Sequence, residues 1–313
     1  MTDVICGVDV SSTSLDARIG HADGPWQRFA RSGDGIAALA AFCRAHAVDL
    51  VVMEATGGYE RLPFGLLWAH GIAAAIVNPR AVRRFAEAMG LLEKTDRIDA
   101  GVIAWYAAVT RTAARPPASE TQQQLTAWVT RLRQLTEARV VQLNQRRLVT
   151  EPDVLASCDH LLAALAGQIR RFESQIAELI DADPLWAALD AAFRSIKGVA
   201  GRTVARLMAE LPEIGTLSGK AVSKLAGLAP IAHDSGKRSG KRPVRAGRDG
   251  VRSILFVVAD LVRRYDPDFR DFHRRLKASG KPLKVVRVAL AHKLLVRLNA
   301  KARDVRNERA LAA

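Results

Sequence analysis

The chain lacks the features that define membrane and exported proteins. It has 313 residues and no apolar run near the roughly 18 residues that a membrane span needs, since even the run Ile254–Ala259 ends at Asp260. Its first residues, Met-Thr-Asp, show neither the basic segment nor the long apolar segment of a signal peptide. We therefore expect a soluble, cytoplasmic protein with no membrane partner.

Cysteine and histidine are scarce and are not spaced for metal or disulfide chemistry. The three cysteines, Cys6, Cys43 and Cys158, are odd in number and far apart, which excludes a disulfide framework and a CxxC zinc site. The seven histidines form no HExxH or HxxxH pattern, and no GxxxxGK[ST] motif occurs. Zinc-dependent enzymes and ATP-driven enzymes are therefore poor candidates.

The chain has a net positive charge, and the excess of basic residues lies in one part of the sequence. Lys and Arg number 47 against 32 Asp and Glu, a formal net charge of +15. Residues 1–115 have 12 basic and 12 acidic side chains, residues 116–190 have 7 and 10, and residues 191–313 have 28 and 10. An excess this concentrated predicts binding to nucleic-acid phosphates. The alternative is a solvated basic surface without a partner.

The first part of the chain, residues 1–115, alternates between strand and helix patterns. Apolar runs predict strands at 4–10, 15–19, 26–30, 50–53 and 73–77. Helices are predicted at 35–46, 62–70 and 80–89. Three antiparallel-type strands followed by alternating helices and strands indicate a mixed α/β domain.

The middle of the chain, residues 116–190, has a helical period. Eight apolar residues from Leu155 to Leu179 recur at alternating steps of three and four, which is a heptad seam. Another helix is predicted at about 121–149, and Pro152 separates the two. The pattern predicts a helical hairpin or coiled coil, which either packs within one chain or joins two chains.

The last part, residues 191–313, is predicted to be mostly helical. Helices are expected after Gly201 through Leu211, at 251–264 and at 284–303. The segment 234–250, rich in Gly, Ser, Lys and Arg, is expected to be a loop. The turn Ile196–Gly201 either directs backbone N–H groups towards a phosphate or only connects two helices.

Four acidic residues stand where predicted strands end or a predicted helix begins. Asp9 and Glu54 close two strands, and Asp96 and Asp99 lie three residues apart on one helix face. Four converging carboxylates would repel by roughly 4 kcal/mol per close pair, so bound divalent cations would favour such a cluster. Oxygen ligands of this kind suit Mg²⁺ or Mn²⁺. Taken singly, each carboxylate is explained as a surface residue or a helix cap.

The blocks around these carboxylates resemble the DEDD motifs of the insertion sequence 110 (IS110) family of transposases. The three blocks are Val8–Ser11, Met53–Tyr59 and Lys94–Ala100. Three later blocks, Leu225–Pro230, Asp234–Lys237 and Lys293–Ala300, resemble the C-terminal transposase domain of that family. The resemblance covers nearly the whole chain in the family's order. It implies a RuvC-like catalytic domain with an RNase H fold at 1–115, a helical coiled-coil linker at 116–190 and a basic transposase domain at 191–313.

The resemblance also implies roles for individual residues. The catalytic, metal-binding carboxylates would be Asp9, Glu54, Asp96 and Asp99, with Mg²⁺ or Mn²⁺ as the cofactor. Ser235 would attack a DNA phosphate and form a covalent phosphoserine link, and Ser239, in the same kind of setting, is the alternative nucleophile. Nucleic-acid contacts and phosphate neutralisation would come from Lys237, Arg238, Lys241 and Arg242.

The partners that the family implies are DNA, RNA and further copies of the chain. A transposase of this kind would excise and insert its element, acting on donor and target DNA as a homo-oligomer, dimer or tetramer. A structured non-coding RNA encoded by the element would guide it. Two alternatives remain open: a RuvC-type metal-dependent nuclease that resolves DNA junctions, and a non-enzymatic nucleic-acid-binding protein whose carboxylates are structural.

Overall fold

The chain divides into two compact units, Met1–Ala118 and Ser119–Ala313, which we call the N-terminal and C-terminal units. The computed structural model describes residues 3–21, 23–91, 96–232, 234–235, 240 and 242–312, with the backbone alone for 96, 97 and 312. In this part of the chain all strands lie in the N-terminal unit, and no helix is long and apolar enough to cross a membrane. The finer boundary that we predict near residue 190 stays a prediction.

The N-terminal unit is built on a five-stranded sheet in the order β3-β2-β1-β4-β5. The strands are β1 (Ile5–Val10), β2 (Ser14–Ile19), β3 (Trp26–Ala30), β4 (Leu50–Glu54) and β5 (Ala74–Val77). β2 runs antiparallel to both β1 and β3, while β4 runs parallel to both β1 and β5. Short turns join the antiparallel strands, and helices make the longer crossings that parallel strands need.

Helices cover both faces of this sheet. They are α1 (Gly33–Ala45), α2 (Arg61–Ala69), α3 (Pro79–Ala88) and α4 (Asp96–Thr110). Because side chains alternate along a strand, Cys6 and Val8 of β1 pack in one apolar cluster with Leu39 of α1. Ile5 of β1 packs in the opposite cluster with Ile103 of α4. The sheet is therefore buried between α1 and α2 on one face and α3 and α4 on the other.

The C-terminal unit is a set of helices around one apolar core. They are α5 (Glu120–Arg146), α6 (Pro152–Ala182), α7 (Pro184–Arg194), α8 (Gly201–Glu210), α9 (Gly219–Leu225), α10 (Asp249–Tyr265), α11 (Pro267–Ala278) and α12 (Leu283–Ala312). A single cluster of buried residues extends from Leu125 on α5 to Ala302 on α12. The expectation of a mostly helical C-terminal part is confirmed, although α9 and α11 are additional to the helices predicted.

The α5–α6 hairpin is packed at its base and exposed at its tip. Near the base, Leu125 and Leu132 of α5 and Ile169 and Ile176 of α6 are buried in the common core. Towards the tip, the apolar side chains of Val140, Val141, Leu143, Leu148, Val154 and Leu161 are exposed. The predicted heptad seam is thus buried within one chain along only part of its length.

Candidate active site and DNA-binding loop

Two candidate carboxylates stand side by side where parallel strands end. Val8 of β1 pairs with Met53 of β4, and Asp9 and Glu54 are the next residues on these two strands. Neighbouring positions of adjacent strands share a face, and strands lie about 4.8 Å apart. Asp9 alternates with the residues that pack on α1, so it faces the α4 side of the sheet, and both carboxylates are half-buried.

Gly7 brings α4 against this edge of the sheet. A Cβ added at Gly7 would overlap the carbonyl oxygen of Ala100 and lie 2.6 Å from the amide nitrogen of Ala104. Only glycine therefore allows the helix to lie so close to β1. Asp99 directly precedes Ala100, and Asp9 lies two residues beyond Gly7 on the same face of the strand. The close contact fixes the first turn of α4 near the end of β1.

The structure thus places Asp9 and Glu54 side by side at the ends of two parallel strands, and Asp99 in the first turn of the helix that contacts β1 at Gly7. Asp9, Glu54 and Asp99 each interact with other groups. Asp96 begins α4, but its side chain lies outside the described residues. Among the side chains that are described, no group of three or more His, Cys, Asp or Glu is arranged to hold a metal ion. The all-oxygen donors fit Mg²⁺ or Mn²⁺ in kind, and their convergence on a metal stays a prediction.

Glu60, a carboxylate that the sequence analysis does not single out, supports the turn after Glu54. The Glu60 carboxylate accepts hydrogen bonds from the amides of Thr56 (3.0 Å) and Gly58 (2.8 Å) and from the Thr56 hydroxyl (3.2 Å). Gly57 and Gly58 have φ values of 76° and 121°, which favour glycine. Burial acts to raise the pKa of Glu60, but hydrogen bonds to its charged form outweigh burial and hold this pKa below its ordinary value.

Asp16, which the sequence analysis also does not single out, lies directly across from Asp9. Asp16 of β2 is the register partner of Asp9, and opposed residues of an antiparallel pair project to the same face. The Asp16 side chain is 3% exposed and pairs with Arg28 of β3, whose Nε and Nη2 lie 2.9 and 3.0 Å from its two carboxylate oxygens. Two charged residues at alternate positions of one short strand, Asp16 and Arg18, were the signal that could have identified it.

The loop with the candidate nucleophile is closed at its base. Ser235 is exposed and follows Asp234, whose carboxylate accepts from Arg242 Nη2 (2.9 Å) and from the Gly240 amide (3.1 Å). The Ile231 amide also donates to the Pro243 carbonyl oxygen at 3.0 Å. The other predicted loop residues, Lys237, Arg238, Ser239 and Lys241, lie outside the described residues. α10 begins at Asp249, so the last two residues of the predicted loop belong to a helix.

The glycine turn between α7 and α8 has a packing explanation. Gly198 has φ 101°, and a Cβ there would lie 3.2 Å from backbone atoms of Val262 on α10. Close backbone approach therefore accounts for this glycine. Ala200 caps α8 without a side-chain hydrogen bond, and phosphate binding at the turn stays a prediction.

Comparison with known proteins gives the family of the chain. Residues 6–149 match the DEDD domain of IS110 transposases, and residues 190–274 match the transposase family IS116/IS110/IS902. The chain belongs to the IS110 family of transposases. The predicted transposase or recombinase activity is therefore confirmed, as is a RuvC-like N-terminal domain. The metal, the serine nucleophile and the RNA guide are finer predictions than this match shows.

Relatives of this IS110 transposase extend over most of the chain. It is 28% identical over 309 residues to the pilin gene-inverting protein of Moraxella bovis, covering 94% of each chain, and 28% identical over 310 residues to that of Moraxella lacunata, again covering 94% of each. It is 31% identical over 153 residues to an IS110 element protein of Streptomyces coelicolor, or 48% of this chain and 37% of that protein. Thermus thermophilus RuvC aligns with a TM-score of 0.25 and 14% identity, over 36% of this chain and 98% of that one.

Proposed function

We propose that this transposase cuts and rejoins DNA strands through two sets of residues. Asp9, Glu54, Asp96 and Asp99 of the N-terminal unit form the metal-dependent site, and Ser235 of the C-terminal unit is the nucleophile. The observation that carries the proposal is the pair Asp9 and Glu54 at adjacent strand ends, with the first turn of α4 held beside them by the Gly7 contact.

The four carboxylates would hold Mg²⁺ or Mn²⁺. When bound, such an ion supplies positive charge that polarises a phosphodiester and stabilises the charge that develops on its oxygens. Asp16 lies across from Asp9 but already pairs with Arg28. We therefore assign Asp16 a supporting role, in which its ion pair with Arg28 holds β2 and β3 together beside the end of β1.

Ser235 would form a covalent link to DNA. Its hydroxyl oxygen attacks a backbone phosphorus, a new oxygen–phosphorus bond forms, and the bond from phosphorus to the leaving DNA oxygen breaks. The hydroxyl proton passes to water and the leaving oxygen gains one. The hydroxyl end of another strand then displaces serine in the reverse of this step, which exchanges the strands. Arg242, and Lys237, Arg238 and Lys241 in the same loop, would neutralise the phosphate.

The partners are donor DNA, target DNA, an element-encoded RNA and further copies of the chain. The net charge of +18 on residues 191–313 supports binding to nucleic acid. The Moraxella relatives are named for inverting a pilin gene, which supports action on a defined DNA segment. The exposed apolar side chains at the α5–α6 tip support a homo-oligomer. We infer that a protein acting on such DNA and RNA works in the cytoplasm.

A recombination assay with paired variants tests this function. The substrate is a plasmid that carries the gene with its native flanking DNA, and the readouts are recombined product and a protein–DNA adduct that survives SDS. We expect Ser235→Ala to remove both while DNA binding persists, and Ser239→Ala to keep both. An adduct in Ser235→Ala that disappears in Ser239→Ala would assign the reaction to the other serine.

The carboxylates and the RNA need separate arms of the same assay. Asp9→Asn is expected to lower product by on the order of 100-fold or more, whereas Asp34→Asn, an exposed acidic residue of α1, should not. Deleting the transcribed flanks or adding ribonuclease should remove recombination if RNA guides it. Cleavage of branched DNA with Mg²⁺ but without any adduct in wild type would instead favour the junction-resolving nuclease.

A further inference from the structure

The C-terminal unit contains an open groove beside the Ser235 loop, which we call the α11–α12 groove. Its cavity volume is about 980 Å³, at the upper end of the roughly 300–1,000 Å³ of ligand sites. It lies between α11, the first half of α12 and two loop segments, 228–230 and 242–244. The residues on α12 recur every three or four positions from Lys284 to Val296, so one face of that helix forms a wall.

The apolar residues that line the groove, which we call its floor, include four valines. Val285, Val288 and Val296 of α12 line it together with Val244 of the loop, and Val285 is 49% exposed. His292 also faces the groove, and burial lowers its pKa from the ordinary value of 6.5, so it is neutral at pH 7. An apolar surface left open to this extent favours a partner that brings its own apolar faces.

The charged residues that line the groove, which we call its rim, are all cationic. Arg242, Arg275, Lys284 and Lys293 border it, and no Asp or Glu is among its described lining residues. Arg275 and Lys293 both lie over the ring of Phe272, at 5.3 and 5.0 Å from its centroid. The charge pattern therefore complements a polyanion and does not match the mixed charges of an ordinary protein surface.

The groove adjoins the candidate nucleophile through the base of its loop. Arg242, which lines the groove, pairs with Asp234, and Pro243, the next lining residue, accepts from the Ile231 amide. Ser235 directly follows Asp234 in the chain. A strand bound along the groove would therefore pass the base of the loop that presents Ser235.

We propose that the α11–α12 groove binds an unpaired segment of the DNA strand that Ser235 attacks. The inference rests on the proposed function. Phosphates of the strand would pair with the cationic rim, and its bases and sugars would bury against the valine floor and Phe272, as in other single-strand binding sites. An intact duplex keeps its base faces stacked inside the helix, so its bases cannot contact an apolar floor.

Salt dependence of binding to a single-stranded oligodeoxynucleotide tests this assignment on the full chain. The probe has about 16 nucleotides of mixed sequence, the upper end of single-strand site sizes, and is compared with the same strand annealed to its complement. In Arg275→Gln/Lys284→Gln, two phosphate contacts are lost. The slope of log K against log salt should then fall by about 1.4, and affinity near 0.1 M salt by on the order of tenfold, for the single strand alone.

Two controls match the variants in charge and exposure. Arg274→Gln/Lys277→Gln removes the same charge from exposed positions of α11 that do not line the groove, and should keep the wild-type slope. Val285→Asp should weaken single-strand binding, whereas Val257→Asp, on α10 with 54% exposure, should not. In each pair the change of charge is the same and only its location differs, so a difference in binding reports the location.

Three results would overturn the inference: a wild-type slope in the groove variant, an equal loss in the α11 control, or an equal loss for the duplex probe. Groove variants that bind DNA normally but change the mass of the oligomer would show that the groove is a protein interface. The proposed function is tested separately, because this binding needs no covalent step. A chain that binds the single strand through the groove but never forms an adduct would contradict only the serine assignment.

Discussion

The N-terminal and C-terminal units hold their charged residues in different ways. Residues 1–118 have 12 basic and 12 acidic side chains, and residues 119–313 have 35 and 20, so the whole excess of +15 belongs to the second unit. In the first unit, charges with a structural role are buried within the fold, as Asp16 and Glu60 are. In the second, ion pairs such as Arg242–Asp234 and Arg274–Asp271 are solvent-exposed, and others such as Arg206–Glu210 are only partly buried, which limits what each contributes to stability. Charged side chains with a structural role are therefore buried in the first unit, whereas those of the second remain accessible to solvent.

The candidate catalytic groups follow the same contrast. Asp9 and Glu54 stand on strands that are hydrogen-bonded to their neighbours along their length. Ser235 stands on a loop whose base is closed by the Asp234–Arg242 ion pair, the Gly240 amide bond to Asp234 and the Ile231–Pro243 backbone hydrogen bond. Sites on strands and helices are held more rigidly than sites on loops. Mutations that disturb the support of the first site should therefore have larger effects than those at the second.

The largest effect is expected at Gly7. In Gly7→Ala the new Cβ overlaps the backbone of α4, which should displace Asp99 from Asp9, lower the free energy of unfolding by about 1–3 kcal/mol and remove recombination. Gly65→Ala on α2 is the matched control, since a Cβ there meets nothing within 4 Å. Unfolding curves and the plasmid assay measure both. Full activity in Gly7→Ala would mean that the α4 contact does not position the site.

A comparison of ion pairs is the next test. Arg28→Ala leaves the buried Asp16 carboxylate without this partner, which should cost about 1–3 kcal/mol of folding free energy. Arg242→Ala breaks a pair whose two side chains are 58% and 39% exposed, so it should cost less than about 1 kcal/mol. Denaturant midpoints at pH 7 give both values. Equal losses of folding free energy would show that the buried and the exposed ion pair contribute alike to stability.

A similar loss of folding free energy, which depends on pH, is expected at Glu60. Glu60→Ala leaves the amides of Thr56 and Gly58 without their acceptor, which should cost about 1–3 kcal/mol. The folded-state pKa of Glu60 lies below its ordinary value of 4.5, so its contribution is present above that value and is lost as pH falls through the folded-state pKa. Glu87→Ala, an exposed residue of α3 paired with Arg83, should change stability by less than about 0.5 kcal/mol.

Unfolding titrations between pH 7 and pH 3 check the Glu60 prediction. The stability difference between wild type and Glu60→Ala should shrink as the solution becomes acidic, because the protonated carboxyl accepts these hydrogen bonds less well. A difference that stays constant with pH would show that the effect comes from packing and not from the charge of Glu60.

The smallest effect on stability is expected at the hairpin tip. Val141→Ser/Leu148→Ser changes two exposed side chains, Leu148 being 82% exposed, so the free energy of unfolding should move by less than about 0.5 kcal/mol. If the tip joins chains, the same variant should lower the mass of the oligomer in light scattering. Val257→Ser/Leu261→Ser on the exposed side of α10 is the control. An unchanged mass would leave the hairpin as an arm within one chain.

Elements with a strong hydrophobic period were predictable from the sequence. The predicted strand at 26–30 coincides with β3, and the other four strands agree within one residue at each end. Predicted helix ends were less accurate. α1 begins two residues earlier than predicted because Ser32 caps it, and α12 continues to Ala312 through a polar stretch that has no apolar period.

Elements that depend on tertiary contacts were not predictable. α11 has buried Phe269 and half-buried Phe272 among six charged residues, a composition typical of a solvated segment until the core that these rings contact is known. The strand-end positions of Asp9 and Glu54 follow from local patterns. The roles of Glu60 and Asp16 do not, because one depends on a turn that folds back and the other on the register between two strands.

The α5–α6 hairpin has a mechanical consequence. α5 has 27 residues, about 40 Å at 1.5 Å per residue, and only its base is embedded in the core. There Gln122 donates from Nε2 to the Met208 carbonyl oxygen at 3.1 Å, at the end of α8. A force applied at the tip of such an arm would be transmitted along α5 as a torque on α8 and on the core that contacts it. If chains assemble at the tip, that assembly would be coupled through one stiff element to the arrangement of the helices around the Ser235 loop.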